Sequence, residues 1–225
     1  MIEAVFQNPG DRSSSYEVDN GSWATYWFGY AYTVAGTPHF TGFVEQSPDH
    51  AQSAPEADTT PGARATLTQA TFVHTSADRS WTFSGAQRHV GEVGGRGRAD
   101  AVDPARRPLM HPIARGRFVL AIPTNAAVEQ GTVQKNYEVL LRAADGSWSH
   151  AGTVNTGYDD SAGCDEGRVF PCAPVRGRMT FVPGDRGMPD LQVSLEPGSP
   201  HAPAARVVTY HFNHVTSTYQ PFDPN

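Results

Sequence analysis

Nine histidines, seven arginines between residues 88 and 117, and four carboxylates between residues 159 and 166 are the groups here most able to do chemistry. Imidazoles at His74, His150 and His211 could converge from separate strands as a general base or as metal ligands. His211 and His214 sit three apart in Tyr210-His211-Phe212-Asn213-His214. On a regular strand they point to opposite faces, so they are no natural metal pair. Asp159, Asp160, Asp165 and Glu166 offer the oxygen ligands a calcium ion takes, but the alternating spacing of a calcium-binding loop is missing. A solvated loop tip is the better account of them. The reading therefore assigns no metal and no cofactor.

No GxSxG nucleophile elbow, HExxH pair, phosphate-binding loop or GxGxxG turn occurs in the sequence. A carboxylate pair acting as acid and base leaves no local mark, so catalysis is left open, leaning against. Of the arginines, Arg96, Arg98, Arg106 and Arg107 lie in or near the glycine-rich run Gly94-Gly95-Arg96-Gly97. They form a local basic patch, opposed by Glu92, Asp100 and Asp103, on a chain of net charge −6. Charge on such a stretch suits the steering of a charged partner, and these four are the candidate partner-binding residues. The overall acidity argues against nucleic acid as partner.

A third group is aromatic. Trp23, Tyr26, Trp27, Tyr30, Tyr32, Trp81 and Trp148, with His211, form a candidate ligand pocket, apolar yet able to hydrogen-bond. Ordinary core filling is the competing account. Five of them fall in Trp23–Val34, WATYWFGYAYTV. There a period of two sets Tyr26, Phe28, Tyr30 and Tyr32 on one face of a strand. Such a face must meet a core, a cavity or a partner.

The elements that must position these groups are strands. After 23–34, a turn at Ala35–Pro38 leads to a return strand at 39–45. Runs 65–75 and 80–86 form a second hairpin. Residues 117–123 read as a buried strand. Residues 136–143 and 147–154 flank Asp145-Gly146, a strong hairpin signal. Runs 177–183, 190–197 and 205–215 complete about ten strands, with one weak helical turn at Ala126–Gln130. With 22 glycines and 18 prolines, this is an all-β chain. It is expected to form a single antiparallel barrel, lipocalin-like, or a two-sheet sandwich, the barrel slightly favoured because closure removes edges. The hairpin over 22–45 is similar in pattern to the Trp- and Tyr-rich opening of some lipocalin-like proteins; the likeness carries over no residue. A polar arm over 1–20 precedes a single domain over 21–225, with long loops at 46–63, 87–114 and 156–176.

Cys164 and Cys172, the chain's two cysteines, are expected to form a disulfide, which points to an oxidising compartment. No run approaches a membrane span, and the N-terminus has no leader pattern. The expectation is a mature exported chain, periplasmic or secreted, its signal peptide removed. Its expected function is binding through the loops, as an envelope inhibitor or immunity-type protein with a protein partner. The alternative is a lipocalin-like barrel that carries or transforms a small apolar or aromatic ligand, as a carrier or an isomerase-, hydratase- or cyclase-type enzyme.

Overall fold

The structure, a computed structural model, describes residues 1–6, 15–18, 21–47, 62–75, 80–95, 97–114, 116–127, 131–164 and 168–222. The chain runs α1 (Ile2–Phe6), β1 (Ser15–Glu17), β2 (Trp23–Val34), β3 (Thr37–Ser47), β4 (Ala65–Thr75), β5 (Ser80–Val93), β6 (Ala101–Val102) and β7 (Leu109–Ala114). It continues through β8 (Arg117–Ala127), β9 (Val133–Arg142), β10 (Trp148–Asp159), β11 (Val175–Val182), β12 (Asp190–Pro197), β13 (Arg206–Asn213) and β14 (Thr218–Pro221).

The strands form two antiparallel sheets. One has the order β1-β2-β3-β4-β5; the other runs β14-β13-β12-β11-β10-β9-β8-β6, with β7 also paired to β8. Neither sheet closes, so the favoured barrel gives way to the two-sheet alternative. The edges explain why closure is unnecessary. β1, β6 and β14 have three, two and four residues, and a very short edge strand offers little to pair with. β5, with fourteen residues, is the exception.

Two compact units can be drawn: Met1–Asp100 with Ser147–Ser149, and Ala101–Gly146 with His150–Asn225. In the first, residues 1–6 are no polar arm. Ile2, Val5 and Phe6 share one helical face and bury it with Val18, Ala24, Val44 and Ala70. Gly42 leaves space for the Met1 side chain, which a β-carbon there would strike. Residues 7–14 and 19–20 of the expected arm lie outside the described residues.

In the second unit, Val119, Ala121, Tyr137, Val139, Val154, Val175, Leu191, Val193 and Leu195 belong to one core. The expected inward set of β12, Leu191, Val193 and Leu195, is the buried one. Residues 118–124 of β8 are buried without interruption, the mark of a strand covered on both faces. At the β9–β10 turn, Gly146 takes φ 93° and its N–H donates to the Ala143 carbonyl at 3.1 Å.

The stretch 87–114 is not the strandless excursion expected from its composition. It contains the end of β5, β6 and β7, whose short or irregular pairing leaves no clean alternation. Of the loop expected at 46–63, Gln46 and Ser47 belong to β3, and residues 48–61 lie outside the described residues, as do 128–130 of the expected helical turn; Ala126 and Ala127 end β8. The 156–176 loop starts within β10 and ends within β11. Inside it, Cys164 and Cys172 are bridged, with Cα atoms 5.4 Å apart, well inside the usual range for a cystine. Replacing both cysteines by serine is expected to lower unfolding free energy by roughly 2–3 kcal/mol, the chain-entropy value for so short a loop. Denaturant titration of the double variant against the oxidised protein measures it.

Candidate functional site

The aromatic strand divides its rings between two faces, and one residue causes the division. Tyr26 pairs with Val44, but Phe28 pairs with Phe43, so the register shifts at Trp27. An extra residue reverses the alternation that follows it. Phe28, Tyr30 and Tyr32 stay on one face, stacked in sequence at centroid spacings of 6.4 and 6.5 Å. Tyr32 is stacked on His39 and meets Trp148 edge-on at 6.0 Å. Its hydroxyl is 3.0 Å from that of Thr41, which is 2.7 Å from that of Thr71. Trp148, 2% exposed, also packs edge-on to Phe43, and its backbone N–H donates to the Gln87 side chain at 3.0 Å. Tyr32, Phe43 and Trp148 are buried core, with the Tyr32, Thr41 and Thr71 hydroxyls filling one another's hydrogen-bonding needs, while Phe28 and Tyr30 are half-buried.

Tyr26 instead lies on the opposite face, its hydroxyl over Gly29 beside the Phe40 ring, where a β-carbon would collide with both. The single face of Tyr26, Phe28, Tyr30 and Tyr32 expected from the sequence is thereby corrected. On the Tyr26 face, Phe40 meets Trp81 at 6.3 Å, His74 meets Trp81 at 5.3 Å and Phe72 meets Phe83 at 5.8 Å. All three contacts are edge-to-face, an arrangement that the ring quadrupoles favour. Tyr26, Trp81 and Phe83 are 41, 50 and 49% exposed. This is an open aromatic surface across β2–β5, where the sequence anticipated a pocket. Trp27 donates its indole N–H to the Asp100 carbonyl at 2.8 Å, which anchors the shifted residue. Trp23, half-buried, opens β2 opposite Glu17 and Ser47.

The candidate arginines have separate surroundings. Arg96 lies outside the described residues. Arg98 is exposed, its backbone bridged to Gly95, and its charge acts on Glu45. Burial pushes the Glu45 carboxyl up, against the pull of the Ala99 N–H and of Arg98. Arg107 is exposed. Arg106 is held fast. Its Nε donates to Asp103 at 2.8 Å, Nη1 to the Thr156 hydroxyl at 3.0 Å, and Nη2 to the carbonyls of Thr124 and Asn136 at 2.7 and 3.0 Å. The guanidinium lies 5.0 Å from the Tyr137 ring centroid. With four bonds made, it pins the backbones of β8 and β9 to β10. Asp103, nearly buried, would be pushed up by burial, but hydrogen bonds from Arg106 and the Ala105 N–H, with the charges of Arg106 and Lys135, hold it below the usual carboxylate range.

Arg106 and Asp103 also line a cleft of about 460 Å³ with Lys135, Thr156, Tyr158, Asp159, Ser161 and residues 174–177. The cystine loop supplies one wall. Gly157, at φ 112°, has its Cα close against the Val175 carbonyl, which a β-carbon would strike. A glycine is required there for β10 and β11 to meet. The sequence singled out Arg106 and the 156–176 loop but missed Lys135 and Arg176; Lys135 carried a signal, as the chain's only lysine.

Two imidazoles are carboxylate-bound. His150 Nε2 lies 2.6 Å from Oε2 of Glu138, which also accepts from Thr153 at 2.9 Å. Glu138 is 1% exposed. His211 Nδ1 lies 2.8 Å from Asp190, with Phe222 edge-on at 4.7 Å. Burial, then the Asp190 charge, pushes the nearby Tyr219 phenol far up, and its hydroxyl donates to the Pro189 carbonyl. A carboxylate at one ring nitrogen fixes the tautomer and leaves the other nitrogen as an oriented base. Among the described residues no hydroxyl or thiol is hydrogen-bonded to either imidazole, and no group of three His, Cys, Asp or Glu could hold a metal ion. The acids weighed as calcium ligands serve the loop: Asp159 accepts from the Ser161 N–H at 3.0 Å and Asp160 from the Ala173 N–H at 2.8 Å. Asp165 and Glu166 lie outside the described residues.

No protein-family model, curated protein or solved structure matches this chain.

Arg106→Ala is expected to destabilise the protein by roughly 3 kcal/mol, since it leaves a buried carboxylate and two carbonyls without their donor. The Asp103 carboxyl is lowered on folding, so its stabilisation is present above the ordinary carboxylate range and is lost as pH falls through the folded value. The melting-temperature gap between the protein and Asp103→Asn should therefore be wide at about pH 7 and close as the pH falls below the ordinary carboxylate range. Thermal melts across pH measure the closing gap.

Proposed function

We propose that this is an exported binding protein whose recognition surface is the aromatic face and free edge at β5, and that its partner is an extended protein segment. The observation that carries this reading is the exposure of Trp81 and Phe83 on a long edge strand. Such strands usually carry a lysine, a proline or a covering element that prevents pairing. Residues 81–86, WTFSGA, contain no charge and no proline, and among the described residues β5 pairs only with β4. An extended segment can add there as a further strand, gaining backbone hydrogen bonds from the edge and side-chain contacts from the rings. Tryptophan and tyrosine are the residues most enriched where binding energy concentrates. Half-exposed large rings are otherwise an aggregation hazard, which a partner removes.

The cystine supports export, because such bonds persist in oxidising compartments. Among the described residues no helix is long and apolar enough to cross a membrane. The recognition surface thus moves from the loops, where composition directed attention, to a sheet edge.

Selection from a displayed random heptapeptide library tests the reading. Enriched peptides should alternate apolar residues and bind in the micromolar range. Trp81→Lys with Phe83→Lys should weaken them at least about tenfold while shifting the melting temperature by no more than about 2 °C, as expected of exposed positions. Equal binding to the double variant would sink the reading.

A further inference from the structure

We infer that the cleft beside the cystine loop binds a small organic carboxylate, with Lys135 and Arg176 as the recognising cations. This stands independently of the β5 edge. The cleft holds three cations, Arg106, Lys135 and Arg176, against two carboxylates, Asp103 and Asp159, an excess of one positive charge on a chain whose net charge is −6. The excess is not spread evenly. Arg106 and Asp103 neutralise each other at 2.8 Å, and the arginine's remaining bonds go to β8, β9 and β10. Among the described residues Lys135 keeps only a loose 3.9 Å approach to Asp103, and Arg176 is exposed at the rim. Asp159 sits within the field of both. Its carboxyl is lowered first by the Ser161 hydroxyl and N–H, and further by the charges of Lys135 and Arg176.

One carboxylate therefore balances the cleft. An arginine fork and a lysine ammonium together can satisfy both its oxygens. The remaining walls set the rest of the ligand. The Tyr158 ring, Pro174 and Val175 supply apolar surface, while the Thr156 and Ser161 hydroxyls are already engaged with Arg106 and Asp159. About 460 Å³ is the size of a small-molecule site. The ligand class is an apolar or aromatic body carrying one carboxylate. Asp159 acts as an internal competitor, since its charge occupies part of the field a ligand carboxylate would use.

The chain's single lysine permits a direct test. Reductive methylation with isotopically labelled formaldehyde keeps the charge and tags the Lys135 ε-amine and the α-amine, which serves as internal control. Benzoate is the probe, with benzamide as its neutral counterpart and inorganic phosphate as an anion without an apolar body. Benzoate should move the Lys135 methyl resonance saturably, with a dissociation constant on the order of 1 mM, and leave the α-amine resonance in place. Benzamide and phosphate should do neither. Arg176→Gln should weaken benzoate about tenfold. Asp159→Asn, which keeps the oxygen that accepts from the Ser161 N–H, should tighten it several-fold. Equal shifts from benzamide, tighter binding of phosphate, or an Asp159→Asn variant no tighter than the parent would each overturn the assignment.

Discussion

In an antiparallel chain, parity decides where every side chain goes, and a single extra residue reverses it. Trp27 is that residue in β2: the register steps from Tyr26 opposite Val44 to Phe28 opposite Phe43. Without the step, Tyr26 would join Phe28, Tyr30 and Tyr32, and the opposite face would lose the ring that lies over Gly29. With it, Phe28, Tyr30 and Tyr32 stack on one face, Tyr32 buried against Trp148, while Tyr26 is exposed on the other. A second irregularity, between Thr71 and Phe72 in β4, lies where Phe72 and Phe83 come opposite each other. Bulges cost ladder hydrogen bonds; here Trp27 recovers one through its indole, which donates to the Asp100 carbonyl.

The second unit depends on a charge in the same way that the first depends on parity. β6 and the turn after it are too short to be held by sheet pairing alone, two residues against β8. Asp103 donates its N–H to the Pro123 carbonyl, and Arg106 reaches carbonyls of β8 and β9 and a hydroxyl of β10. Arginine fits this place because its planar fork reaches several acceptors at once and its charge is never lost. Lysine would supply three donors from one point and could not span them. Since the guanidinium is used up by the protein, the recognition chemistry of the cleft falls to its less constrained neighbours, Lys135 and Arg176. An arginine's type and place in the sequence thus say little about whether its charge is available.

Much of the β architecture was legible in the sequence. The spans 65–75 and 190–197 coincide with β4 and β12, because alternation and turn residues there have no rival. The Asp145-Gly146 turn was equally plain. α1 was missed since one and a half turns hold too few residues to display a period, although Ile2, Val5 and Phe6 have helical spacing. β1, β6, β7 and β14 were missed since they are two to six residues long, too short or too irregularly paired to display an alternation. Bulges were invisible for a related reason: they are properties of a pair of strands, and only one strand is read at a time. The preference for a barrel rested on the need to hide edges, and short terminal strands meet that need by other means.

The candidate sites divide along the same line. The residue types were legible: the tyrosines and tryptophans of β2, Trp81, Arg106 and the two cysteines were all marked by chemistry alone. Their states were not. Tyr32 and Trp148 are core, Tyr26 and Trp81 are surface, and all four are aromatic residues of strands. What separates them is the parity of their strand and the company on that face, both long-range facts. The same holds for the acids of the cystine loop. Asp159 and Asp160 resemble metal ligands in sequence, yet each accepts a backbone N–H that the turn leaves unpaired, an ordinary use of aspartate. Lys135 is the inverse case, a residue with nothing around it in sequence to suggest a role, placed on a cleft wall by strand register. A function read from residue types must therefore first ask which groups the fold has already consumed. Among the described residues, the two rings of β5 and the two cations of the cleft are groups the fold leaves available.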